Sequence, residues 1–129
     1  MSRADQREGL RTASAAQRLL PAGARTDEWW AAALLHDCGK QVAGLGVVGR
    51  SVAALVPGSQ VEAWATVSGW RRRIADHRRH DVVGAALLAQ AGARDPVVQW
   101  ARNHHDRGAW GGYPDGVAVA LARADGERV

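Results

Sequence analysis

Phenylalanine is absent from this 129-residue chain, and cysteine, methionine, tyrosine and lysine occur once each. With Cys38 alone, an internal disulfide is excluded. Without phenylalanine, the bulk of the interior falls to the six tryptophans, at 29, 30, 64, 70, 100 and 110. They are expected in the core, with Trp110 also a candidate to line a base-binding pocket. No apolar run approaches the ~20 residues that cross a bilayer, so no membrane partner is expected. MSRADQREGL, the start of the sequence, has no apolar signal core, which makes a cytoplasmic location the expectation. Internal repeats, low-complexity stretches and linkers are missing too, so residues 1–129 are expected to form one domain. No segment alternates at period two, which excludes a sheet and predicts an all-α fold.

What is present is arginine: sixteen against the single Lys40, for a net charge of +4. A basic balance favours an anionic partner, either phosphate esters or nucleic acid. The densest run, WRRRIADHRRH, puts five arginines between Arg71 and Arg79. On a helix they spread around the axis instead of forming a stripe. A solvated helix is therefore expected there, and nucleic-acid binding is not.

Helical signals punctuated by glycine and proline cover the chain. A first helix is expected from about Arg3 to Leu20, ended by Pro21-Ala22-Gly23. Thr26 can cap a second, with Asp27 and Glu28 complementing its dipole and Gly39 as its stop. Residues 44–49 read as a flexible loop and Ser51 to Val56 as a short apolar helix. Ser59-Gln60-Val61-Glu62 reads as a capping box for a helix reaching about Ser68. Helical segments follow over Trp70 to His80 and Val82 to Ala91. Asp95-Pro96 predicts an N-cap with proline at N1 for a helix ending at His104-His105, and Pro114-Asp115 opens the last helix.

Four of the five histidines fall in related settings. His36-Asp37 ends one helix, His80 opens HDVVG, His104-His105 ends another, and Asp125 follows in VALARAD. The fifth, His77, is expected at the surface. Imidazole and carboxylate together suit divalent iron, manganese, zinc or nickel. Neighbouring helical residues diverge by ~100°, so an HD pair needs ligands from other helices, as metal sites in bundles do.

These residues resemble a family. His36-Asp37-Cys38-Gly39-Lys40 is similar to the HDxGK motif of the HD-domain metal-dependent phosphohydrolases. His80 with Gly84, His104-His105-Asp106-Arg107 and Gly112-Tyr113-Pro114 resemble, in order, the HxxxG, HHER and GYP elements of the HD-GYP branch. The resemblance runs from about Glu8 to Asp125 and implies a helical-bundle HD domain. It departs from the family at the first metal ligand, a histidine on the first helix, where Glu8 now stands. It departs again between Lys40 and His80 and after Pro114, so a short divergent HD domain fits better than a cyclic-dinucleotide phosphodiesterase.

The resemblance implies that His36, Asp37 and Asp125 hold a metal ion, with Asp37 able to bridge two. His80, His104 and His105 would complete a second position, with Glu8 as an additional ligand. One or two divalent transition-metal ions would then activate a water to attack a phosphate ester. Asp37 and Lys40 are the implied catalytic residues, and Lys40 and Arg107 the contacts to a small phosphorylated substrate such as a nucleotide. Cys38 reads as a small buried filler. Two other functions fit the same sequence: a non-catalytic HD module that binds a nucleotide or partner protein for regulation, and a diiron HD-fold oxygenase.

Overall fold

The computed structural model describes residues 2–45 and 47–129, and among these every regular element is helical, as expected. Helix α1, Arg3–Leu19, starts at a capping box that the sequence reading overlooked. The Asp5 N–H donates to Ser2 Oγ (3.1 Å), and the Ser2 N–H donates to the Asp5 carboxylate (3.3 Å). Leu20, extended ahead of Pro21, ends the helix. Its buried stripe, Thr12, Ala13 and Ala16, faces α2 (Asp27–Leu35) and α9 (Val117–Ala124). Helix α8 (Asp95–Asn103) packs on α2, and α7 (His80–Gln90) packs on α8.

Alanine dominates the contacts of these five helices: Ala13, Ala16, Ala32 and Ala101 are each fully buried. Small side chains let the helix axes approach, and Trp29 and Trp100 fill the space that remains. Tyr113 stands edge-on to both tryptophans, at 5.9 and 5.6 Å. The tyrosine of the GYP triplet is thus a packing residue.

Three short helices, α3 (Lys40–Ala43), α4 (Val47–Leu55) and α5 (Gly58–Trp64), pack on α6 (Trp70–Arg78). The arginine run of α6 does more than face solvent. Arg73 reaches the carbonyls of Ala43 and Gly44 at the end of α3. Arg78 donates to the carbonyls of Ala53 (2.9 Å) and Val56 (2.7 Å) at the end of α4. Helix C-termini leave carbonyls unsatisfied, and these guanidinium groups satisfy them. Trp64 and Trp70 lie in this smaller group, outside the core. Their rings meet edge-on at 5.4 Å with the Arg71 guanidinium over both.

Several expected boundaries move. Helix α4 begins at Val47, so the stretch expected as a loop is helical from there, while Gly46 lies outside the described residues. Pro57, not Ser59, occupies the N-cap of α5, which ends at Trp64 instead of Ser68. Thr26 stands at the N-cap of α2 but makes no side-chain cap. Arg94 takes the N-cap of α8, which moves Asp95 one place into the helix. Helix α7 already includes His80. The last helix starts at Val117 because Gly116 is left-handed (φ 78°), a conformation that interrupts helix propagation from Pro114.

Candidate metal centre

Helix ends build the site. His36 is the C-cap of α2 and His104 the C-cap of α8, and His80 follows directly on the end of α6. Each uses its Nδ1 on a carbonyl three residues back: Ala33 (2.9 Å), His77 (3.0 Å) and Ala101 (2.9 Å). These are last-turn carbonyls that the helices themselves leave unpaired. A carbonyl only accepts, so each Nδ1 carries a proton, which leaves Nε2 as the nitrogen that can offer a lone pair to a metal.

Those Nε2 atoms converge on Asp37. His80 Nε2 lies 3.2 Å and His104 Nε2 3.8 Å from Asp37 Oδ1, and His36 Nε2 lies 3.5 Å from Oδ2. Asp125, at the end of α9, brings Oδ1 to 3.1 Å from His36 Nε2. The approaches are short but not directed as hydrogen bonds. Nε2 of His36, His80 and His104 and Oδ1 of Asp37 are all buried without a hydrogen-bond partner. Buried polar atoms are normally paired, and converging lone pairs are what a cation binds. The donor set fits a divalent transition metal. Among the described residues the ligand atoms form two groups, His36–Asp37–His104 and His80–His104–His105, within which all lie within 4.8 Å of one another.

Gly39 makes this convergence possible. Its φ of −63° is helical, so it is not the left-handed helix stop expected from the sequence. A Cβ at Gly39 would sit 2.0 Å from the His80 carbonyl oxygen and 2.6 Å from the Gly84 N. A Cβ at Gly84 would meet the Gly39 N at 3.0 Å and Cys38 Sγ at 3.3 Å. The HDxGK and HxxxG glycines therefore face each other, and their contact seats α7 against the 36–39 turn. Cys38 fills the space beside them, buried, with Sγ 3.7 Å from the Gly84 carbonyl.

The electrostatics follow from this packing. Burial raises the pKa of Asp37, but contact with His80, the charge of His36 and the Lys40 ammonium outweigh it and hold the carboxyl well below its usual range. Lys40 Nζ lies 2.5 Å from Asp37 Oδ2. Burial lowers the pKa of His36, yet the approach of Asp125 and the charges of Asp37 and Asp125 raise it overall. His104 is pushed down to about 4 by burial and by its histidine neighbours His36 and His105. Its ring is neutral at pH 7, the form that binds metal.

The remaining expected residues lie further out. His105 is half exposed, with its ring 5.4 Å from that of His80. Its Nδ1 lies 3.2 Å from Glu127 Oε1. Arg107 donates to the Arg128 carbonyl and lies 3.8 Å from Glu127. Glu8 reaches the rim only: its exposed side chain pairs with Arg11 at 3.9 Å. It borders a small cavity of about 20 Å³ shared with Asp5, His36, Asp37 and Lys40.

Sequence reasoning missed Glu127, Asp5 and the part played by His77. His77 is not a free surface residue: it is half-buried, with its ring 6.2 Å from that of His80. No motif marks the first two, although Asp5 falls one helical turn before Glu8. Trp110 spends its Nε1 on the Asn103 carbonyl and packs 6.0 Å from Trp100.

The HD-domain family model matches residues 9–127. The chain belongs to the HD-domain family. No curated protein and no solved structure matches it. HD-domain proteins are generally hydrolases that bind divalent metals, and this HD domain groups histidine and aspartate side chains able to hold such an ion. No helix among the described residues is long and apolar enough to cross a membrane.

Proposed function

We propose that this HD domain is a metal-dependent phosphohydrolase of the cytoplasm, acting on a nucleotide or another small phosphate ester. One observation carries the proposal: Nε2 of His36, His80 and His104 and Oδ1 of Asp37 are buried, unpartnered and aimed at one another. His36, Asp37 and Asp125 would hold one ion, and His80, His104 and His105 a second, with Asp37 between them. When bound, a divalent ion polarises a phosphoryl oxygen and lowers the pKa of water toward neutrality.

The chain's own groups supply the rest. Asp37, kept ionised by Lys40 and the histidines, contributes a carboxylate at every physiological pH. Lys40 fixes the orientation of Asp37 and places an ammonium beside the reacting phosphoryl group. Arg107 offers a planar fork to the substrate when it leaves the chain end. Glu8 would act through the one water for which the small cavity has room.

Elemental analysis beside hydrolysis of bis(p-nitrophenyl) phosphate and a nucleotide panel tests the proposal. Purified protein is expected to carry transition metal, and His36→Ala and Asp37→Asn to lose metal and turnover together. Hydrolysis unaffected by either substitution would overturn it. The position of Glu8 at the rim, in place of a histidine within the cluster, supports one second reading, a regulatory HD module that binds nucleotide without turnover. Full metal occupancy with turnover would exclude it.

A further inference from the structure

Among the described residues, two openings that reach the histidine cluster differ in size and charge. On the α1 side the cavity of about 20 Å³ has three carboxylates in its wall, from Asp5, Glu8 and Asp37, against one ammonium, that of Lys40. It admits about one water. Between α4 and α6 lies a cleft of about 400 Å³, lined by Arg50, Ala54, His77, Arg78, His80 and His105. Among the described residues no carboxylate is in that lining, and its inner wall is two of the histidines of the cluster, His80 and His105.

The cleft's cations are fixed in place. Arg50 donates from Nε to the Leu45 carbonyl (3.2 Å) and from Nη2 to Asp5 (3.2 Å), and its side chain is still 37% exposed. Arg78 is tied to two backbone carbonyls, Ala53 and Val56, which orient the guanidinium without cancelling its charge. Arg50 also borders a neighbouring cleft with Lys40, so cations flank the cluster from Lys40 round to Arg78. Anchored guanidinium groups lose little freedom when they take up an anion, and their planar forks match phosphate oxygens. Positive walls around a cleft also concentrate anions at its mouth.

We infer that this cleft is the anion-binding subsite of the substrate. It takes a phosphate ester with a second anionic group beyond the reacting one, as in a nucleoside diphosphate, and Arg50 and Arg78 hold that second group beside His77. The assignment of the reacting group to the histidine cluster rests on the proposed phosphohydrolase function. The second group follows from charge. A monophosphate engaged at the cluster would leave Arg78 facing only neutral carbonyls and Arg50 with Asp5 alone, whereas a diphosphate places a further anion between the two arginines.

Isothermal titration of the full chain with adenosine 5′-monophosphate and 5′-diphosphate tests this, with wild type and Arg50→Gln compared and metal content measured on the same samples. The diphosphate-to-monophosphate affinity ratio is expected to fall about tenfold in Arg50→Gln, the loss of one charge-assisted contact. Arg50→Lys, which keeps the charge without the fork, should fall between. Comparing ratios cancels chelation of the metal by the diphosphate in solution. Ala54→Asp, an exposed substitution that puts a carboxylate into the cleft, should lower the ratio without removing the Asp5 tie.

A ratio unchanged in both Arg50→Gln and Ala54→Asp, or a wild type with no preference for the diphosphate, would overturn the subsite. The proposed function fails separately, by an absence of metal. In that event a ratio that still depends on Arg50 supports the subsite, and one that does not overturns it.

Discussion

Replacing Gly39 with alanine puts a methyl group where the main chain of α7 already lies. The new Cβ would fall 2.0 Å from the His80 carbonyl oxygen, whereas real Cβ contacts essentially never come under 3.0 Å. The obstacle is backbone, so no rotamer change relieves it, and α7 must retreat by about 1 Å. Overpacking of this kind costs about 1–3 kcal/mol. The functional cost is larger, because His80 Nε2 now lies 3.2 Å from Asp37 Oδ1 and metal sites tolerate only about 0.2 Å of ligand displacement. Gly39→Ala should therefore lower the guanidinium chloride midpoint and release the ion held through His80, with a change in metal-to-protein ratio on elemental analysis. Gly84→Ala, whose nearest contacts are 3.0 and 3.3 Å, should show a smaller loss of both. Gly58→Ala, with nothing within 4 Å, should leave metal content intact and stabilise the protein by a few tenths of a kcal/mol, up to about 1 kcal/mol. A Gly39→Ala protein with wild-type midpoint and wild-type metal content would refute the account of the glycine contact.

In metal-free protein, His104 titrates at about 4 when folded and near its ordinary 6.5 when unfolded. The unfolded chain then binds the extra proton between those values, so stability is full above 6.5 and falls as pH drops through the window, by at most about 3 kcal/mol. His36, raised above 6.5, acts with opposite sign and only above that pH. Denaturation of EDTA-treated wild type and His104→Gln from pH 7 to 4 should show the steeper fall in wild type, and parallel curves would contradict it. Arg78→Met, which strips two carbonyls at the end of α4 of their donor, should cost about 1–3 kcal/mol in denaturant midpoint without loss of the ion held by His36. Glu127→Gln, at the carboxylate that orients His105 Nδ1, should weaken metal binding about 10–100-fold, read by competition with a chelator. An unchanged affinity would leave Glu127 with no part in the centre.

The sequence alone determined the fold class, because hydrophobic periodicity and helix stops are local properties that need no knowledge of partners. It also singled out His36, Asp37, His80, His104-His105 and Asp125, because the short motifs that carry them resemble, in order, those of the HD-domain family. The short motifs misled wherever a residue answered to a distant neighbour. Gly39 looks like a helix stop in sequence, yet it is there because His80 and Gly84, some forty residues on, leave no room for a Cβ. The arginines of α6 look like a solvated face, yet Arg73 and Arg78 hold the ends of α3 and α4. Only the tertiary structure decided which histidine nitrogen faces Asp37, because that choice is set by carbonyls at helix ends. Only it separated the acidic cavity beside Glu8 from the basic cleft at Arg50, because the charge of an opening is set by side chains that folding gathers from several helices.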